Sequence, residues 1–243
     1  MNPKSVIITG ASRGIGKAVA LEIARHGYHV AICCKNNIHQ LEEVKMEIEK
    51  SSVSCLTFQG DMGDLKQAQT FIQQAVQAFG APSVLVNNAG ISYFGLLQDM
   101  SEEDWNQVLN TNLTSVFNCC KWVIPHMLQP KKGKIFNISS VWGNVGASTE
   151  VAYSATKGGV NSLTKALAKE LAPSGFQVNA IACGMIDTDM NRCLSPEDVN
   201  SIIEEIPAGR MGTPEEVAKL IYQLSQGPDY LTGQIITLDG GWV

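Results

Sequence analysis

Seven short apolar runs recur along the 243-residue chain, separated by longer stretches of helical period. The runs are SVIIT, HVAICC, SCLTFQ, SVLVNN, KIFNIS, QVNAIAC and QIITLD; helical stretches include 14–26, 65–79, 102–128, 152–171 and 214–226. Strands that are apolar almost throughout, rather than at alternate positions, are covered on both faces, which is the condition of a parallel sheet between helices. Right-handed crossovers then predict a single-domain α/β doubly wound (Rossmann) fold, with a seven-stranded parallel sheet and helices on both faces. Ser101 before EEDW, and Thr213 before Pro214, supply helix starts. No linker, repeat or low-complexity segment divides the chain, so residues 1–243 are expected to form one domain.

With 44% hydrophobic and 17% charged residues, the chain is of ordinary globular composition. Its net charge of -5 disfavours nucleic acid and anionic membrane as partners. The seven cysteines include the adjacent pairs Cys33/Cys34 and Cys119/Cys120 within apolar runs, and none falls in a CxxC or Cys/His ligand spacing. Reduced thiols in a core are therefore expected, with no metal site and no disulfide framework. The opening MNPKSVIITG predicts no secretory leader, and no apolar run reaches the length of a membrane span, so a cytoplasmic location is the expectation.

In such sheets ligands bind beyond the carboxyl ends of the strands. The first strand runs into TGASRGIG, which places Gly10, Gly14 and Gly16 between a strand and a helix start. Glycine permits a tight backbone there, and a helix N-terminus offers unpaired N–H groups to a pyrophosphate. The second strand ends in Cys34 and Lys35, where an NAD-binding chain would carry an acid for the ribose hydroxyls. With Arg13 in the glycine loop, Lys35 forms a cationic pair suited to a 2′-phosphate, which points to NADPH rather than NADH. The alternative is that both cations are ordinary solvated residues.

Further along lie NNAG at 87–90, NTNLTS around Asn112, NISS ending at Ser140, and VAYSATKGG, which sets Tyr153 and Lys157 one helical turn apart. In that order, and with TGQIITLDGG near the end, these motifs span essentially the whole chain. Together they resemble the short-chain dehydrogenase/reductase family, and within it bacterial β-ketoacyl-acyl-carrier-protein reductases. The resemblance implies a catalytic tetrad of Asn112, Ser140, Tyr153 and Lys157. It implies coenzyme contacts from Gly10, Ser12, Arg13, Ile15, Gly16, Asp61, Met62, Asn88, Gly90, Tyr153, Lys157, Ile186 and Thr188. It also implies a homotetramer, in which the helices bearing Asn112 and Tyr153 pack across one axis and LDGGWV serves another. An ammonium near Tyr153 is expected to favour the phenolate, as a free phenol is too weak an acid for efficient exchange at neutral pH. Ser140 would stabilise the oxygen on which charge develops, and Asn112 would hold a water that connects Lys157 to solvent. The family usually has Pro-Gly where this chain has Cys183-Gly184, and Cys183 is not read as catalytic.

The expected reaction is NADPH-dependent reduction of a ketone, a 3-oxoacyl thioester in the first instance. Lys131, Lys132 and Lys134 of PKKGK are candidates for docking an acidic acyl carrier protein, although Ser174 stands where many such reductases have arginine. Trp142 and Glu150 are substrate-pocket candidates: an aromatic ring and a carboxylate suit a substrate ending in an amine. That loop is similar to reductases acting on a 5-aminopentanone group of modified elongation factor P, which is the alternative substrate. The plainer reading leaves Glu150 solvated and Trp142 at a subunit contact. A segment at about 190–212 reads as a lid over the strand ends. An NADPH-sensing protein without catalysis is the non-enzyme alternative, disfavoured because Tyr153 and Lys157 are both present.

Overall fold

The computed structural model describes residues 4–130, 132–192 and 194–243. Seven strands form one all-parallel sheet: β1 (Ser5–Ile8), β2 (His29–Cys34), β3 (Cys55–Gln59), β4 (Val84–Asn87), β5 (Gly133–Ser140), β6 (Phe176–Cys183) and β7 (Ile235–Leu238). Their order is β3-β2-β1-β4-β5-β6-β7. Every residue of β1, β4, β5 and β6 is buried, whereas the edge strands β3 and β7 are largely half-exposed. That difference follows from position, because an inner strand is covered by helices on both sides.

Successive side chains in each strand enter opposite layers. Val6 and Ile8 join one apolar cluster with Val19 and Ile23 of α1 (Gly14–Arg25), Leu41 and Val44 of α2 (Ile38–Glu49), and Ile221 of α9 (Pro214–Gln226). Ile7 joins the other, with Phe71 of α3 (Leu65–Phe79), Val123 of α5 (Ser115–Leu128) and Val160 of α7 (Val151–Leu171). The adjacent Cys33 and Cys34 are divided between the two layers in the same way. All six described cysteines are free and buried; Cys193 lies outside the described residues.

The continuous helix expected over 102–128 is interrupted. α4 (Glu102–Leu109), capped by Ser101, passes into a π-helical turn at Asn110–Thr114 before α5 resumes. Asn112 sits inside that turn, and its amide faces inward instead of completing the helix surface. The short α6 (Trp142–Val145) follows β5, and α8 (Pro196–Glu205) crosses the stretch expected to be a lid.

Chain order reverses at β1: β2 and β3 lie to one side and β4 to β7 to the other. A crevice opens beyond the carboxyl ends of β1 and β4 at such a switch point. Helix α1 starts there, and no side chain caps its first turn.

Candidate active site

A cleft of about 1230 Å³ runs from the glycine loop to the first turn of α7. Ser12, Arg13, Ile15, Lys35, Asp61, Met62, Asn88, Gly90, Ile186 and Thr188 all line it, as do Gly10, Ser140, Tyr153 and Lys157. Two of the expected residues stand behind its wall. A Cβ on Gly16 would come 2.4 Å from the Gly10 carbonyl oxygen, so this glycine lets α1 pack onto its own loop. Asn112 is 1% exposed; its Oδ1 accepts from Ile91 N at 2.8 Å, and its Nδ2 donates to Ile91 O at 2.9 Å. It also donates to Thr156 at 3.2 Å, so the asparagine fixes main chain beside Gly90.

The coenzyme end is held by its neighbours. Asn88 Nδ2 donates to the carbonyls of Thr9 and Gly10 at 2.9 and 2.8 Å, tying the end of β4 to the glycine loop. Gly10 and Gly14 have φ of +66° and +54°, conformations that side chains disfavour. The uncapped N-terminus of α1 therefore faces the cleft with backbone donors free of side-chain acceptors, which fits a pyrophosphate. The two cations expected to meet a 2′-phosphate are each paired: Arg13 with Asp189 at 3.3 Å and Lys35 with Asp61 at 2.7 Å. They are neither free nor simply solvated, since any incoming anion competes with a carboxylate.

At the reacting end, Tyr153 and Lys157 are 9% and 4% exposed, on the inner face of α7. Lys157 Nζ donates to the Ile138 carbonyl at 2.8 Å and lies 5.5 Å from the Tyr153 ring centroid. Burial lowers the lysine to about 8. Burial also raises Tyr153 above the ordinary phenol value, with a Ser140 hydrogen bond pulling the other way. In the free chain desolvation opposes the acidity expected of this phenol, and the Lys157 ammonium donates to a strand carbonyl. A Cβ on Gly90 would lie 3.5 Å from both Asn112 Oδ1 and Lys157 Nζ. The bare glycine keeps space open where these two groups converge.

Glu150 is buried at the N-terminus of α7 and lines the cleft, so the solvated reading of it does not hold. Its side chain does not cap the helix. Burial pushes its carboxyl up to about 7, with a Trp142 hydrogen bond pulling down. The preceding Thr149 has φ of +64°, unusual for a β-branched residue, and its carbonyl accepts from Gly95 N at 2.9 Å. Trp142 faces the cleft as well and packs edge-on against Trp242 at 4.9 Å. Trp242 and Glu205 were missed from sequence; a tryptophan after two glycines in LDGGWV was the available signal, assigned above to a subunit contact.

Among the described residues of PKKGK, Lys132 and Lys134 do not border this cleft within the chain. Lys134 is at the opposite end of β5 from Ser140, roughly 20 Å away at about 3.3 Å per residue. It is buried, donating to Gly227 O at 3.0 Å, and burial lowers its pKa. Lys132 is exposed, Lys131 lies outside the described residues, and Ser174 falls just before β6 at the same far end.

Comparison with known proteins agrees with this geometry. A profile of the short chain dehydrogenase family matches residues 4–198. The 3-oxoacyl-[acyl-carrier-protein] reductase FabG of Staphylococcus aureus (strain Mu50 / ATCC 700699) is 41% identical over 239 residues, covering 98% of this chain and 97% of the relative. That of Thermotoga maritima is 41% identical over 241 residues, covering 99% and 98%. A crystal structure described as a short-chain alcohol dehydrogenase from Sinorhizobium meliloti 1021 superposes with a TM-score of 0.94 at 32% identity, covering 100% of this chain and 97% of that one. The chain belongs to the short-chain dehydrogenase family of oxidoreductases.

Proposed function

We propose that the protein reduces a ketone with NADPH, and that its principal substrate is a 3-oxoacyl thioester. The observation that carries this is the convergence of Ser140, Tyr153 and Lys157 at one end of a cleft whose other end is the glycine loop. When bound, the reduced nicotinamide supplies the hydride. Tyr153 gives its proton to the carbonyl oxygen, and Ser140 donates a hydrogen bond to the same oxygen as charge develops there. Lys157 holds the coenzyme ribose and resupplies the proton, and Asn112 keeps Gly90 and Ile91 in place beside it. Burial of Tyr153 suits the reductive direction, since a phenol raised by desolvation starts protonated.

NADPH is favoured because no acid follows β2, where Lys35 stands, and because Arg13 is at the same end of the cleft. A phosphate monoester carries about two charges, so these cations attract it more strongly than a single carboxylate. The segment 190–212 acts as the lid, and the protein assembles as a homotetramer.

A second substrate reading rests on Glu150. A buried carboxylate bonded to Trp142, with no cation among the described residues offsetting its desolvation, suits a ketone ending in an amine, such as the 5-aminopentanone of modified elongation factor P. Side-by-side NADPH oxidation with acetoacetyl thioesters, on acyl carrier protein and on a small thiol, against an aminoketone tests both. Preference for the thioesters upholds the first reading. Preference for the aminoketone, abolished selectively by Glu150→Gln, replaces it with the second.

A further inference from the structure

We propose that Trp242 is a specificity-determining residue, which with Trp142 and Glu205 closes the substrate end of the cleft and admits short ketones in preference to long-chain ones. Three separate segments meet at this point. Trp142 comes from the turn after β5, Glu205 from the last residue of α8, and Trp242 from the chain's C-terminal tail. All three line the same cleft as Ser140 and Tyr153. The two indoles meet edge-on at 4.9 Å with their planes 62° apart, and Trp242 Nε1 donates to Glu205 Oε2 at 3.3 Å.

The tail is built to deliver this indole. Gly240 and Gly241 have φ of +70° and +86°, two successive left-handed residues that turn the chain back over the strand ends. Asp239 holds that turn, accepting from Gly241 N at 2.9 Å and Val243 N at 3.0 Å. Ala208 N donates to Gly240 O at 3.1 Å, and a Cβ on Gly240 would come within 2.9 Å of Ile206. The tail is thus packed on the residues that follow α8, and the Trp242 side chain reaches across to Trp142. One edge-on ring contact and one hydrogen bond to an exposed carboxylate make a closure that a ligand can open. A short ketone reaches Tyr153 beneath it, whereas a long chain must displace the indole.

The proposal rests on the ketone-reductase reading, and simple 3-oxo esters test it without any carrier. The wild-type protein should favour the acetoacetyl over the 3-oxododecanoyl ester at least about tenfold in kcat/KM. Trp242→Ala should reduce that preference to within about threefold, through a lower KM for the long ester, with NADPH affinity unchanged. Trp242→Phe should keep most of it. Glu205→Gln, which leaves the packing of the tail intact, should shift the profile the same way to a smaller extent. The paired indoles give an exciton couplet in circular dichroism, absent from Trp242→Phe, which the long ester should abolish on binding and the short ester should leave. An unchanged length profile in Trp242→Ala, or a couplet that survives saturation with the long ester, overturns the proposal. If no variant reduces any ester, the reductase reading falls, and the couplet still decides for or against the closure.

Discussion

Burial moves the ionisable groups at the reacting end of the cleft toward their uncharged forms, Tyr153 and Glu150 upward and Lys157 downward. The sequence pattern placed Tyr153 and Lys157 on one helical face, but distance along a helix says nothing of which partner the ammonium chooses. Here it chooses the Ile138 carbonyl at 2.8 Å. Glu150 was legible as a pocket residue and not as a buried one, because burial depends on tertiary neighbours that local sequence does not name. Its carboxyl is raised from the ordinary value to about 7. The folded chain therefore holds a proton there that the unfolded chain has released, and stability is lost as pH rises from about 4.5 through 7. Glu150→Gln removes this dependence. Its Tm advantage over wild type should grow across that window and level off above it, by up to about 2 kcal/mol, or roughly 4–8 °C. A difference independent of pH would show that Glu150 is solvated after all.

Among the elements, the seven strands were legible because burial on both faces leaves a signal in composition alone. The helix α2 was passed over: its buried positions are only Leu41, Val44 and Ile48, set among polar residues. The π-turn at Asn110–Thr114 was not legible as such, although Asn112 is the kind of residue that disturbs a helix. Its cause is tertiary, namely the two hydrogen bonds to Ile91. Helix starts read well where caps are local. Thr213 Oγ1 accepts from Glu216 N, and the Glu216 carboxylate accepts from Thr213 N at 2.8 Å and from Arg210. Thr213→Ala should cost about 1 kcal/mol in denaturant unfolding, with the slope unchanged. No loss would mean that Pro214 and Arg210 hold this start without the hydroxyl.

On the scale of the whole molecule, the parallel seven-stranded sheet and a cleft beyond its strand ends followed from pattern and topology, while the strand order and the closure of the cleft did not. Trp242 and Glu205 are far from Trp142 in sequence, and only the folded chain brings them together. Lys134 shows the same limit: it belongs to β5, but at the end away from Ser140. Among the described residues no helix is long and apolar enough to cross a membrane. Trp105 of α4, Phe117 of α5 and Val151 of α7 remain exposed on the single chain. Surface of this kind on the proposed tetramer-forming helices predicts light scattering at four times the chain mass. A monomer would remove the assembly from the account. The central claim is that the Tyr153 hydroxyl delivers the proton, and Tyr153→Phe tests it most directly by removing one oxygen. Ketone-dependent NADPH oxidation should fall by about 10²–10⁴-fold while NADPH affinity, read by fluorescence titration, stays within about twofold; turnover at the wild-type rate in that variant would contradict the mechanism.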